Sequence, residues 1–256
     1  MFNLFSKKKS ALASIGLNVS TDFHSHILPG LDDGAQDITN SLILIRGLMS
    51  IGYTKLIGSP HVIADTYRNS SETILPALEL LKQACKDQHI EIELGAAAEY
   101  MLDDCFLNLL RTNTPLLTID GKLLLTELSY ATPTGNLHEI AFEMITNNYK
   151  PILAHPERYF YYHDNYEIYY TLKEYGFLFQ VNLLSLVGYY GKAVAKAAHW
   201  LFEQKIVDFV GTDMHHDRQL TALLKQDNLK HLNNVLQGRE YNNFNIPINH
   251  LNYPSP

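Results

Sequence analysis

Two kinds of segment alternate along the chain. Seven short runs rich in apolar and β-branched residues are each followed by a longer amphipathic stretch, in which apolar residues recur three and four positions apart. The runs are TDFHSHI (21–27), KLIGSPH (55–61), IEIELGAAAEY (90–100), KLLLTELS (122–129), KPILAHPER (150–158), GFLFQVNL (176–183) and IVDFVGTDMHH (206–216). Such strand–helix units predict a parallel sheet, either closed into a barrel one strand short of the usual eight or left open and doubly wound.

Most of the predicted strands end in a histidine, aspartate or glutamate instead of a neutral turn residue. These residues are His24, His26, His61, Glu99, Glu127, His155, Asp213 and His215, and Asp33 follows in the first loop. Because the carboxyl ends of the strands meet on one face of a barrel, we expect these side chains to lie together. Residues two apart on a strand lie on one side, about 6–7 Å apart, so His24 and His26 are able to share one metal ion.

Each of these residues also has an ordinary structural explanation when taken singly. His61 and His155 fit hydrogen-bonded loop histidines, and Asp33 fits a turn before a helix. Carboxylates that directly follow apolar runs, as Glu99 and Glu127 do, are costly to bury unless a cation compensates them. The joint pattern therefore predicts a metal cluster. Carboxylates mixed with imidazoles, without thiolates, favour manganese, zinc or iron, and nine candidates suit two or three divalent ions.

Composition narrows the classes of function and location. With 27 acidic and 20 basic residues the net charge is −7, which disfavours nucleic acid as a partner. Two cysteines cannot build a disulfide framework or a cysteine-based zinc site, so we expect a cytoplasmic protein. The segment 1–17 lacks the long apolar core of a signal peptide or membrane span. We predict an N-terminal extension (1–19), a single domain (20–240) and a C-terminal tail (241–256).

Six motifs together resemble those of the PHP (polymerase and histidinol phosphatase) superfamily, and the match spans residues 20–218. The motifs are DFHSHILPGLDDGA, GSPH, AAEY, LLTELS, LAHPER and GTDMHH. The first of them, combined with AHPERY, is most similar to the manganese-dependent bacterial tyrosine phosphatases that accompany capsule and exopolysaccharide kinases. The resemblance implies a distorted seven-stranded (β/α)7 TIM-like barrel with a trinuclear site, preferably for Mn²⁺. It assigns His24, His26, Glu99 and Asp213 to one ion, Glu99, Glu127 and His155 to the second, and Asp33, His61 and His215 to the third.

The resemblance also implies an activity, which is hydrolysis of phosphotyrosine by a metal-bridged hydroxide. The implied substrate is a phosphotyrosine-bearing protein, such as the tyrosine-rich segment of a kinase of polysaccharide synthesis, which would bring the enzyme to the inner face of the membrane. Arg158 is expected to bind phosphate in bidentate fashion, unless it forms a surface salt bridge with Glu157. Arg218 is the candidate for a second phosphate contact. The tyrosine-rich segment RYFYYHDNYEIYY (158–170) is expected mainly to pack over the barrel rim, with Tyr159 as the candidate for some contact with an aromatic substrate.

Three alternatives stay open. CFLNLLRT (105–112) has the Cys-x5-Arg-Thr spacing of cysteine-dependent tyrosine phosphatases, although without glycine it indicates an amphipathic helix more than a phosphate loop. A histidinol-phosphate phosphatase, or another small-molecule phosphomonoesterase, would share the metal ligands. A metal-stabilised, non-catalytic kinase-binding module would have its metal positions closed by protein ligands.

Overall fold

The computed structural model describes residues 16–17, 19–238, 241 and 243 of the chain. Within this part, strands and helices alternate over most of the length. The strands are β1 (Thr21–Ser25), β2 (Lys55–Gly58), β3 (His61–Val62), β4 (Glu93–Ala96), β5 (Glu99–Met101), β6 (Leu123–Glu127), β7 (Lys150–Ala154), β8 (Leu178–Asn182) and β9 (Phe209–Gly211). The helices are α1 (Ile38–Met49), α2 (Ser71–Asp87), α3 (Asp104–Arg111), α4 (Leu137–Thr146), α5 (Ile168–Glu174), α6 (Leu183–Leu186), α7 (Lys192–Glu203), α8 (Asp217–Leu223) and α9 (Gln226–Leu236).

The strands form two parallel sheets, in the orders β1-β2-β4 and β3-β5-β6-β7-β8-β9. All seven predicted strand regions contain a strand, and two of them are broken into a pair, β2 with β3 and β4 with β5. Pro60 lies in the first break, where its missing N–H cannot continue a hydrogen-bonded ladder. The prediction of an α/β domain with parallel strands is therefore confirmed.

The two sheets approach each other again at β1 and β9. An isolated parallel bridge pairs Ser25 with Met214. The His26 N–H donates to the Met214 carbonyl over 2.9 Å, and the Asp213 N–H donates to the His24 carbonyl over 2.8 Å. Because these contacts are an isolated bridge and not a continuous ladder, the closed seven-stranded barrel of the prediction is not confirmed.

A small apolar cluster draws side chains from both sheets. It includes Phe23 of β1, Ile57 of β2, Leu125 of β6, Ile152 of β7 and Phe209 of β9, all of them buried. The rings of Phe23 and Phe209 meet edge to face with centroids 5.1 Å apart. The sheets therefore enclose an apolar interior, and the candidate site lies at the carboxyl ends of the surrounding strands.

Most of the predicted extension and tail lies outside the described residues, so the division into three segments stays a prediction. Four residues of these segments are described as buried, namely Leu17, Val19, Tyr241 and Asn243. The Asn243 side chain accepts from the Val210 N–H over 3.0 Å and donates to the Val210 carbonyl over 2.7 Å. None of the helices in the described part of the chain is long and apolar enough to cross a bilayer.

Candidate functional site

The structure brings all nine predicted ligands into one cluster. Their candidate ligand atoms form four groups, within each of which the atoms lie no more than 4.8 Å apart. The groups are His24, His26 and Asp213; His24, Glu99 and His155; His61, Glu99 and Glu127; and His26, Asp33, His61 and His215. The Asp33 side chain is 57% exposed, whereas those of His61 and His215 are 13% exposed and the other six are buried. The role of these residues as metal ligands stays a prediction, which their convergence supports.

Glu99 occupies the centre of the cluster. Its Oε2 lies 3.3 Å from His24 Nε2 and 3.1 Å from His61 Nδ1, and its Oε1 lies 3.1 Å from His155 Nε2. His24 also faces a second carboxylate, because its Nε2 lies 3.4 Å from Asp213 Oδ1. Glu99 is therefore the residue best placed to connect two metal positions.

Two of the candidate ligands have an unfavourable backbone conformation with positive φ. His155 directly follows β7 with φ of 37°, and Asp213 lies two residues after β9 with φ of 50°. A side-chain-bearing residue in this left-handed region costs on the order of 1–3 kcal/mol. Backbone hydrogen bonds hold both residues, since the His155 N–H donates to the Gln180 carbonyl and the Asp213 N–H donates to the His24 carbonyl. The surrounding sheet thus enforces the angles at these two positions.

The electrostatics of the cluster indicate an excess of negative charge. Burial lowers the pKa of His61, but the neighbouring carboxylates of Glu99 and Glu127 together outweigh it and raise that pKa to about 10. Burial and the charge of Glu99 raise the pKa of Glu127 to about 7. Protons are therefore held at the positions that cations would occupy, and divalent ions would displace them on binding.

The donor atoms also fit a divalent metal. Among the described residues, His61 Nδ1, Glu99 Oε2 and Glu127 Oε1 are buried without a hydrogen bond, and they face one another. Buried polar atoms of this kind are costly unless something binds them. Imidazole nitrogens and carboxylate oxygens without thiolates suit manganese, iron or zinc. The residues present therefore match the predicted group.

Asp32 contacts two of the candidate ligands, His26 and His61, and the sequence interpretation missed it. Its Oδ2 lies 2.6 Å from His26 Nδ1 and accepts from the His61 N–H over 3.0 Å, while its Oδ1 accepts from the Gly34 N–H over 2.9 Å. A carboxylate on one ring nitrogen fixes the tautomer and leaves the other nitrogen free for a metal. The signal was the first aspartate of LDDG, because only the second, Asp33, was assigned as a ligand.

Gln180 and Asn182 form a second support that sequence reasoning missed. The His24 Nδ1 lies 2.5 Å from Gln180 Oε1, and Gln180 Nε2 donates to Asn182 Oδ1 over 2.9 Å. Asn182 Nδ2 in turn donates to Asp213 Oδ2 over 2.7 Å. Two buried amides at alternate positions of the otherwise apolar run FQVNL were the available signal.

Replacing Asp32 with asparagine should weaken metal binding. Loss of the carboxylate charge removes the group that orients the His26 ring, and outer partners of this kind typically contribute about 10–100-fold in metal affinity. Titration calorimetry of the metal-free protein with Mn²⁺ measures the change. Asp37→Asn is the matched control, because Asp37 caps α1 away from the cluster. Equal affinities for the two variants would contradict this role of Asp32.

A cavity of about 270 Å³ opens over the cluster. Five of the nine candidate ligands line it, together with Arg158 and the three tyrosines Tyr130, Tyr189 and Tyr190. Arg158 Nη1 donates to Asp213 Oδ2 over 2.7 Å, so the guanidinium lies on the same face as the cluster. Its other N–H groups are of the kind that bind phosphate oxygens.

The alternative explanation of Arg158, a salt bridge with Glu157, has no counterpart among the described residues. Glu157 is buried and accepts from the Ser185 hydroxyl over 2.6 Å and from the Asn182 N–H over 3.0 Å. Burial raises the pKa of Glu157 to about 7. The competing interpretation of Arg158 as a surface ion pair with its neighbour is therefore wrong.

Two further expectations have different outcomes. Arg218 is exposed on α8 and lines a depression beside Asp33 and His215 instead of the cavity that contains Arg158, so its phosphate contact stays a prediction.

Tyr159 is fully buried, and its hydroxyl donates to the Ala154 carbonyl and accepts from the Leu128 N–H. The burial of Tyr159 favours the packing role over contact with substrate, because the chain makes a short 3₁₀ turn at Pro156–Arg158 that leaves Tyr159 in the core.

The segment CFLNLLRT is helical, as the sequence indicated. Cys105 and Arg111 both lie on α3, whose N-cap Asp103 accepts from the Phe106 N–H over 2.8 Å. A helical Cys105–Arg111 segment does not present the successive N–H groups of a phosphate loop. The structure therefore gives the cysteine-dependent alternative no phosphate-binding loop.

Comparison with known proteins identifies one family and relatives that are named tyrosine-protein phosphatases. The sequence model of the family described as "Capsular polysaccharide synthesis, CpsB/CapC" matches residues 20–239. The tyrosine-protein phosphatase YwqE of Bacillus subtilis is 27% identical over 195 residues, covering 76% of this chain and 77% of that protein. The tyrosine-protein phosphatase CpsB of Streptococcus agalactiae is 25% identical over 202 residues, covering 76% of this chain and 82% of that protein.

A solved structure has a similar fold. It is described as "Crystal structures of YwqE from Bacillus subtilis and CpsB from Streptococcus pneumoniae, unique metal-dependent tyrosine phosphatases". The match has a TM-score of 0.77 at 24% sequence identity and covers 88% of this chain and 90% of the other. The likeness extends over most of both chains and therefore supports a shared fold.

Proposed function

The chain belongs to the CpsB/CapC family of capsular polysaccharide synthesis, and from this premise we propose that it is a metal-dependent protein-tyrosine phosphatase. The single observation that carries the proposal is the convergence of nine metal-capable side chains beneath a cavity that contains Arg158. The relatives named tyrosine-protein phosphatases support the substrate class. The proposed physiological substrate is the phosphotyrosine-bearing segment of a tyrosine kinase of polysaccharide synthesis. The enzyme would act on this segment at the inner face of the membrane.

The proposed cofactors are two or three divalent ions, with Mn²⁺ as the first candidate and iron or zinc as alternatives. One ion would take His24, His26, Glu99 and Asp213, another would take Glu99, Glu127 and His155, and a third would take Asp33, His61 and His215. We also propose that the two sheets are arcs of a distorted seven-stranded barrel. The bridge between β1 and β9 supports that description.

The reaction follows from what the residues of this chain are able to do. Bound divalent ions supply Lewis acidity, which neutralises phosphate charge and acidifies a water molecule. Arg158 binds and orients the phosphate oxygens, and its bond to Asp213 fixes the guanidinium on the cluster face. A tyrosine leaving group has an ordinary pKa near ~10, so it departs more readily than the alkoxide of an aliphatic ester.

The experiment compares two substrates on one protein. Hydrolysis of a phosphotyrosine peptide and of histidinol phosphate is measured after chelation and after Mn²⁺ is added back, with Cys105→Ser in parallel. We expect chelation to abolish peptide hydrolysis, Mn²⁺ to restore it, and the exposed Cys105 to be dispensable.

Each other outcome identifies a different error. Turnover of histidinol phosphate alone would retain the metal cluster but replace the substrate with a small phosphomonoester. Loss of activity in Cys105→Ser with metals intact would favour the thiol route. If neither substrate is hydrolysed, the result would favour the alternative of a non-catalytic kinase-binding module.

A further inference from the structure

Three tyrosines line the cavity that contains Arg158. They are Tyr130, from the loop after β6, and Tyr189 and Tyr190, from the segment between α6 and α7. We call these three residues the aromatic rim. Tyr130 is 47% exposed, so about half of its side chain is open to solvent or to a ligand.

Two rings of the aromatic rim lie beside Arg158, the proposed phosphate ligand. The guanidinium carbon of Arg158 lies 5.0 Å from the centre of the Tyr130 ring and 4.3 Å from the centre of the Tyr190 ring. The candidate ligands His155 and Asp213, both buried, line the same cavity. A phosphate held by Arg158 must therefore direct its ester substituent outward, past these rings.

Two of the three rings, those of Tyr130 and Tyr190, are held in place by neighbouring side chains. The Tyr130 ring stacks on His155, with centroids 5.7 Å apart and an interplanar angle of 21°. The Tyr190 hydroxyl accepts from Gln219 Nε2 over 3.0 Å, and the buried Gln219 also accepts from the His215 N–H over 2.7 Å. Preorganised rings lose little entropy when they bind a ligand.

From this geometry we propose that the aromatic rim binds the aryl group of the substrate and selects aryl phosphomonoesters over alkyl phosphomonoesters. The inference rests on the proposed phosphatase function and adds the determinant of its substrate class. The exposed part of the Tyr130 side chain contacts the substrate ring, while the Tyr190 ring packs against the Arg158 guanidinium. One ring contact of this kind corresponds to roughly a tenfold preference.

The test measures binding without turnover. Phenylphosphonate and methylphosphonate are titrated into the Mn²⁺-loaded protein by calorimetry, for the unchanged chain, Tyr130→Leu and Tyr130→Phe. We expect Tyr130→Leu to weaken phenylphosphonate binding roughly tenfold and methylphosphonate binding by less than about twofold. Tyr130→Phe retains the ring and should retain the preference. Phe142→Leu, at an exposed aromatic position on α4, is the matched control and should change neither affinity.

A parallel assay separates this proposal from the proposed function. The kcat/KM values of a phosphotyrosine peptide and a phosphoserine peptide of the same sequence are compared for the same variants, after equal metal content is established. If Tyr130→Leu weakens both phosphonates equally, the ring acts through Arg158 or the cluster, and the aryl selectivity is refuted while the phosphatase stands. If the unchanged chain prefers phenylphosphonate but hydrolyses neither peptide, the phosphatase proposal fails while the aryl site remains.

Discussion

Glu99→Gln should lower kcat/KM for a phosphotyrosine peptide by about 10³-fold, because losing one organising metal ligand removes several kcal/mol of charge stabilisation. Glu99 lies in two of the four ligand groups, so its neutralisation should also release at least one ion. Glutamine retains the size of the side chain but not its charge. Metal content by mass spectrometry and kinetics at saturating Mn²⁺ measure the two effects.

The control for this change is Glu93→Gln on β4. Glu93 is partly exposed and pairs with Lys55 on the neighbouring strand β2, outside the cluster. We expect this variant to keep its metal content and its kcat/KM. A Glu99→Gln protein with the full metal complement and activity within a few-fold of the unchanged chain would show that Glu99 is not a ligand.

Arg158→Ala should lower kcat/KM by about 10²–10³-fold, the usual cost of losing a preorganised group that stabilises transition-state charge. Metal content should not change, because Asp213 retains its hydrogen bond from Asn182 Nδ2. Lysine at this position restores the charge but not the bidentate geometry, so Arg158→Lys should be intermediate. Steady-state kinetics beside metal analysis of the same samples provide the measurement.

Arg111→Ala is the matched control for the loss of an arginine. Arg111 is half-exposed on α3 and pairs with Glu139 on α4, remote from the cavity lining. We expect no change in its kinetics. Near-normal turnover of Arg158→Ala, or a parallel loss of metal, would remove Arg158 from the phosphate-binding role.

The sequence predicted the strand regions and the nine convergent side chains because both signals are local. A short apolar run that ends in an ionisable residue carries its strand and its site residue within a few positions. Parallel strands then bring the ends together without further information. The same reasoning located Arg158, which follows His155 by three residues.

What the sequence did not predict depends on contacts between distant segments or on the exact course of a turn. Asp32 and Gln180 act through hydrogen bonds to His26 and His24, and no apolar pattern marks a residue as the partner of a particular ring nitrogen. Tyr159 adjoins Arg158 in sequence, yet a single 3₁₀ turn places one in the cavity and the other in the core. Closure of the barrel depends on how far β1 and β9 pair, which alternation along either strand does not specify.

The left-handed angles of His155 and Asp213 have a consequence for laboratory evolution of this chain. Glycine adopts such angles without steric penalty, and asparagine does so more readily than most residues. A library sorted for heat resistance alone would therefore drift towards glycine or asparagine at these two positions, and its most robust survivors would have lost candidate ligands. Stabilisation of this fold should hold both positions constant and seek improvement at surface positions of the helices, away from the carboxyl ends of the strands.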